Sequence, residues 1–144
     1  MKICIPQTLE IPKQKTGAIQ KIFTEAGHEL SIYTDVPQNE QMLIERVKDA
    51  EVIIPSNLPI SKNVINACPN LKFINVAFTG TDHIDLETCK ERNIAVSNAR
   101  GYSTFAVAEI AIGLMIALLR RIPISDFATR SLKTREGFLG YELH

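Results

Sequence analysis

The sequence has no surplus of either charge. Its 16 Lys and Arg stand against 16 Asp and Glu over 144 residues. That balance creates no field to draw the chain onto nucleic acid or an anionic membrane, so neither is an expected partner. Cysteine is scarce. Cys4, Cys68 and Cys89 are odd in number and unrelated in spacing. They fit neither a disulfide frame nor a thiolate metal site, and they point to reduced core thiols in a cytoplasmic protein. His28, His83 and His144 also lack metal-ligand spacing. The opening Met1-Lys2-Ile3-Cys4-Ile5-Pro6 is too short for a secretory apolar region. The longest apolar stretch, 105–119, contains Glu109 and falls short of the ~20 residues that span a bilayer. Neither Gly-x-Gly-x-x-Gly nor a Walker loop occurs, so the chain lacks the local phosphate fingerprint of a dinucleotide fold. Internal repeats and low-complexity tracts are absent as well.

What is present is an alternation of short β-rich runs and helical patterns. Strands are expected at 2–6, 29–33, 51–54, 71–77 and 94–97. Helices are expected at 14–26, 39–47, 61–67 and 86–92, the third capped by Ser61. Runs such as Val52-Ile53-Ile54 and Phe73-Ile74-Asn75-Val76 suit strands buried on both faces. The pattern predicts an α/β domain over 1–100: a flavodoxin-like, five-stranded parallel sheet with helices on both faces. Over 101–144 the strand signal stops. A long helix is expected at 103–119, with Arg120 and Arg121 in its last turn and Pro123 ending or kinking it. A further helical stretch follows at 126–132, then a loop at 137–140.

The long helix has almost no polar face. Ala106, Val107, Ile110, Ile112, Leu114, Met115, Ile116 and Leu118 leave only Glu109 and small residues between them. Such a helix needs cover on all sides. The sheet domain can supply one side. Another domain or another copy of the chain must supply the rest, unless the helix runs through the middle of its own core.

Two loops hold the candidate chemistry. Phe78-Thr79-Gly80-Thr81-Asp82-His83-Ile84-Asp85 follows the fourth strand, at the edge where ligands of open α/β sheets sit. Gly80 is expected to allow φ > 0 and close approach. Consecutive N–H groups there can hold a carboxylate, while Asp82 and Asp85 can cap the next helix. A plain strand-to-helix turn explains the same residues equally well. Ser97-Asn98-Ala99-Arg100-Gly101-Tyr102-Ser103-Thr104 follows the fifth strand. Here Ser103 or Thr104 can cap the long helix, and Arg100 and Tyr102 can line a pocket.

Motifs in order and in register resemble the D-isomer-specific 2-hydroxyacid dehydrogenases. They run from Pro69-Asn70-Leu71-Lys72-Phe73-Ile74 through Thr79-Gly80-Thr81-Asp82-His83-Ile84-Asp85 and Asn93-Ile94-Ala95-Val96-Ser97-Asn98. They continue to Val107-Ala108-Glu109 and Arg120-Arg121-Ile122-Pro123. The resemblance implies an NAD-dependent enzyme acting on a small D-2-hydroxy or 2-keto acid, with this chain as its substrate-side half. It implies that the N–H groups of Thr79 and Gly80 grip the substrate carboxylate and that Tyr102 lies near the substrate. The Ser56-Asn57-Leu58-Pro59 loop, through Asn57 and Leu58, would form another wall, and Thr104 would touch the cofactor. The long helix would cross to a cofactor domain and form a homodimer through 103–122. The family's Gly-rich loop, substrate-binding Arg and Glu–His acid/base pair are expected beyond His144, together with most of the NAD contacts. No catalytic residue is therefore expected in this chain, and the chain alone is expected to be inactive. Arg100 stands where the glycerate and D-lactate dehydrogenase branches commonly have proline. The alternative is a non-catalytic flavodoxin-like binding or interaction module. Against it, Pro6-Gln7-Thr8-Leu9-Glu10-Ile11-Pro12 is not a flavin phosphate loop, and Ile54-Pro55-Ser56 lacks a phosphoacceptor Asp.

Overall fold

A computed structural model of the chain describes residues 1–131 and 140–142. Residues Met1–Arg100 form one compact unit and Gly101–His144 a second.

The first unit is α/β. Its strands are β1 (Lys2–Ile5), β2 (Glu29–Ile32), β3 (Val52–Ile53), β4 (Phe73–Val76) and β5 (Ala95–Asn98). Between them lie α1 (Lys13–Glu25), α2 (Glu40–Val47), α3 (Lys62–Asn66) and α4 (Leu86–Glu91). All pairings are parallel, in the order β2-β1-β3-β4-β5. This is the flavodoxin-like order expected from the sequence, with its reversal between β1 and β3.

Strand alternation sorts the apolar side chains onto two faces. Cys4, Ile53, Ile74 and Val76 go to one face, where Leu43, Val47, Val64, Ile65 and Cys89 join them in the larger core. Ile3, Ile5, Leu30 and Val52 go to the other, packed by Ile19 and Phe23 of α1 and by Phe73. Helix starts follow local chemistry. The side chains of Asn39, Ser61 and Asp85 accept from the N–H groups of Met42 (2.8 Å), Val64 (3.3 Å) and Thr88 (2.9 Å). Of the two aspartates expected to cap α4, only Asp85 is the N-cap. Strand β3 is two residues long because Pro55 follows Ile54. Pairing continues only through Ile54 N–H to the Cys4 carbonyl and Ala77 N–H to the Pro55 carbonyl, both 2.8 Å.

The second unit contains α5 (Thr104–Leu119) and α6 (Ile122–Arg130). Among the described residues, no strand follows β5. Ser103 is the N-cap of α5 but makes no side-chain capping bond. The basic pair falls outside the last turn of α5: Arg120 is its C-cap, and Arg121, at φ +53°, is the N-cap of α6. Pro123 therefore opens α6 within its first turn, where a missing N–H costs nothing, and does not end or kink α5. The C-terminal part of α5 is met by Gly140, where a Cβ would collide with the backbone of Leu119 and Arg120. Tyr141 N–H reaches the Leu119 carbonyl at 2.7 Å. Leu132 and residues 137–139 lie outside the described residues. No residue of α5 is buried. The reading in which α5 runs through the chain's own core is thus overturned: Phe105 is 82% and Leu118 77% exposed.

Candidate functional site

The parallel sheet sends every strand-to-helix loop of the first unit to its carboxyl edge. At the β1/β3 reversal these loops border a cleft of about 350 Å³, lined among others by Gln7, Glu10, Ser56, Asn57, Ala77 and Phe78. Gln7 and Ser56 are buried, at 4% and 3% exposure. The Gln7 Nε2 group donates to Ser56 Oγ and, at 3.0 Å, to Asn57 Oδ1. Ser56 Oγ in turn donates to Asn57 Oδ1 at 3.1 Å. Gln7 Oε1 is buried and has no hydrogen-bond partner among the described residues.

The loop after β4 is held by its carbonyl groups. Asn98, at the end of β5, donates its side-chain amide to the Thr79 carbonyl at 2.6 Å. Ala99 N–H reaches the Val76 and Phe78 carbonyls, both at 3.1 Å. The N–H groups of Thr79 and Gly80 donate to none of the described residues, and both residues are exposed. A loop with tied carbonyls and free N–H groups is suited to an anion. Gly80 achieves this without φ > 0. Among the described residues the glycines in that region are Gly27 and Gly101, and a Cβ on Gly80 would make only an ordinary contact with Asp82. The expected special conformation is absent because the loop turns over Thr81–Ile84, closed by Ile84 N–H to the Thr81 carbonyl at 3.0 Å.

A parallel bridge between Ile60 and Ile84 ties the post-β3 loop to this one. Ile60 N–H meets the His83 carbonyl at 2.8 Å, and Asp85 N–H meets the Ile60 carbonyl at 3.0 Å. Asn57, Thr79 and Gly80 therefore share one edge of one unit. Leu58 turns away: at 9% exposure it packs in the larger core and borders a separate recess with Pro37 and Leu43. Tyr102 and Thr104 belong to the second unit, where both are exposed and Thr104 is the first residue of α5. Sequence reasoning missed Gln7. Its one local signal is a long polar residue two positions after the buried end of β1.

The cysteines play no part in this edge. Burial pushes the thiols of Cys4 to about 12 and Cys68 to about 11, and that of Cys89 upward. All three are free and buried, hence inert toward nucleophilic chemistry. Among the described residues, no three His, Cys, Asp or Glu side chains gather as a metal site, and no helix is long and apolar enough to cross a membrane.

Fold and edge together define an α/β domain whose loops gather at the carboxyl end of a parallel sheet. Residues 11–138 match the family model of the D-isomer specific 2-hydroxyacid dehydrogenase catalytic domain. The chain belongs to that family. It is 40% identical over 129 residues to a D-3-phosphoglycerate dehydrogenase of Methanocaldococcus jannaschii, covering 86% of this chain and 24% of that protein. A glyoxylate reductase of Korarchaeum cryptofilum is 30% identical, over 100% of this chain and 44% of its own length. The D-lactate dehydrogenase from Aquifex aeolicus, solved with NAD and lactic acid, superposes with a TM-score of 0.80 at 25% identity, over 99% of this chain and 41% of that one. The chain thus spans less than half the length of each of these relatives.

Proposed function

We propose that this chain is the substrate-side half of an oxidoreductase that transfers a hydride between NAD(H) and a small D-2-hydroxy or 2-keto acid. The observation that carries the reading is the Thr79–Gly80 loop. Its carbonyls are fastened to β5 while its N–H pair is left to donate. Two N–H groups on a fixed loop bind a carboxylate without reorganisation. Asn57 contributes the neighbouring wall, while Leu58 packs in the core behind that loop. By the family resemblance, Tyr102 is assigned to the substrate and Thr104 to the cofactor.

The chain's own residues do not make a dinucleotide cradle. There is no Gly-x-Gly-x-x-Gly, and the cleft at the β1/β3 crossover is lined by Gln7 and Glu10 with neither Lys nor Arg. No step of hydride transfer is assigned to these residues, and none is named catalytic. Their role is to bind and orient the acid. The domain roles are 1–100 for substrate and 101–144 for the connection to a cofactor domain and to a second copy. The uncovered apolar surface of α5 supports a homodimer through 103–122 in a cytoplasmic enzyme, with no nucleic-acid or membrane partner.

The test is NADH oxidation with hydroxypyruvate, pyruvate or glyoxylate. The expected result is no turnover by the 144-residue chain, while each productive acid shifts the Thr79 and Gly80 amide resonances. Turnover by the chain alone would overturn the assignment of chemistry to other residues. Silent Thr79 and Gly80 amides would overturn the substrate site.

A further inference from the structure

We infer that Gln7 is a specificity-determining residue of this cleft, whose free carbonyl selects an acid with a hydroxyl-bearing tail over one with a methyl or phosphorylated tail. The inference rests on the proposed function for the anchoring of the carboxylate at Thr79–Gly80.

Three observations support it. The first is the orientation of the Gln7 amide. Its nitrogen faces two oxygens, Ser56 Oγ and Asn57 Oδ1, and Ser56 also donates to Asn57. Both hydrogens of the Gln7 amide have acceptors, which leaves Oε1 as the end of the amide without a partner. Oε1 is therefore a buried acceptor with no donor among the described residues, in a side chain only 4% exposed. A buried carbonyl left without a donor is unfavourable, so a ligand O–H that reaches it is favoured beyond its own contact.

The second is charge. The cleft lining includes the acidic Glu10 and neither Lys nor Arg. Phosphate is held by cationic forks or by several N–H groups, and here it would meet a carbonyl and a carboxylate. An alkyl tail would leave Oε1 unsatisfied. A tail hydroxyl can donate its one hydrogen to Oε1.

The third is position. Ala77 and Phe78 line the cleft and lead directly into Thr79. A carboxylate on the Thr79 and Gly80 N–H groups thus has its tail beside the cleft, where a three-carbon acid carries its terminal group. At about 350 Å³ the cleft is at the small end of ligand sites.

The experiment is a titration of the ¹⁵N-labelled 144-residue chain, followed by amide NMR, with D-glycerate, D-lactate and D-3-phosphoglycerate in turn. All three should move the Thr79 and Gly80 amides. D-glycerate alone should also move the Gln7 side-chain amide, and it should bind at least about tenfold tighter than the other two. Gln7→Met should bring D-glycerate down to the D-lactate affinity while the Thr79 and Gly80 shifts persist. The ligand series on the unaltered chain stands even if that variant folds poorly. D-3-phosphoglycerate or D-lactate binding as tightly as D-glycerate, with Gln7 unmoved, overturns the inference and leaves the carboxylate site intact. No shift at Thr79 or Gly80 with any acid overturns the functional reading, and this inference with it.

Discussion

Ile74 and Ile112 are the same side chain in opposite circumstances. The first, in β4, is 0% exposed; the second, in α5, is 54% exposed. The first unit divides its apolar residues by strand alternation between two faces and packs helices on both. The second concentrates them on one helix. There α6 is the packed neighbour, yet no α5 residue becomes buried. Burying an isoleucine is worth about 1.5–3 kcal/mol, so the first unit has collected its stabilisation and α5 has not. Apolar content alone does not make a core. A period that matches a partner surface does.

The contrast is sharpest under mutation. Ile74→Ala should cost about 2–5 kcal/mol in urea unfolding, because it opens a cavity in close packing. Leu118→Ala in α5 should cost no more than about 0.5 kcal/mol in the dissociated chain. Equal losses would mean that α5 is packed after all.

Alkaline pH separates the units next, since all three thiols lie in the first. Desolvation raises Cys4 to about 12 and Cys68 to about 11 from the ordinary 9.0. A folded value above the unfolded one gives stability that is complete below pH 9.0 and lost as pH rises toward those values. Each thiol withholds at most about 1.4 kcal/mol per pH unit. Urea midpoints should fall across this range, and Cys4→Ala should flatten the fall. A midpoint independent of pH there would deny the burial.

Self-association tests the other unit. Leu114→Glu should weaken it at least about tenfold, roughly 1.4 kcal/mol, in sedimentation over a dilution series. The melting of the first unit should stay in place. An unaltered association constant would remove α5 from the interface.

Capping is the smallest contrast. Asn39→Ala and Asp85→Ala should each cost about 1 kcal/mol, since each loses a bond to a helix N–H. Ser103→Ala should stay within about 0.5 kcal/mol, because Ser103 makes no such bond. A larger loss at Ser103 would reveal a cap formed only when α5 is covered.

Most of this fold was legible because its signals are local. The five strands and four helices of the first unit lie where apolar runs, Gly27, Pro55 and the caps Asn39, Ser61 and Asp85 put them. In a parallel sheet every strand-to-helix loop emerges at one edge, so Asn57 and Thr79–Gly80 could be assigned to a common edge before their geometry was known. Leu58 was not legible. Whether a loop leucine faces a cleft or the core depends on what lies beneath it, here Leu43 and the larger core. Gly80 also misled. Glycine permits φ > 0 without requiring it, and among the described residues Gly27 and Gly101 are the glycines that use it. At Pro123 the same residue signal serves to stop a helix or to start one, and the left-handed Arg121 decides for a start.

The sequence by itself determined the alternation that makes a two-faced parallel sheet. It also determined the absence of a polar face that leaves α5 in need of a partner. Both are periodicities written in neighbouring residues. Only the tertiary structure decided that Gln7 meets Ser56 across 49 residues of chain. Such a meeting has no local signature. It depends on how the loops after β1 and β3 pack side by side, and the same packing leaves one buried carbonyl of Gln7, a residue of the cleft lining, unmatched.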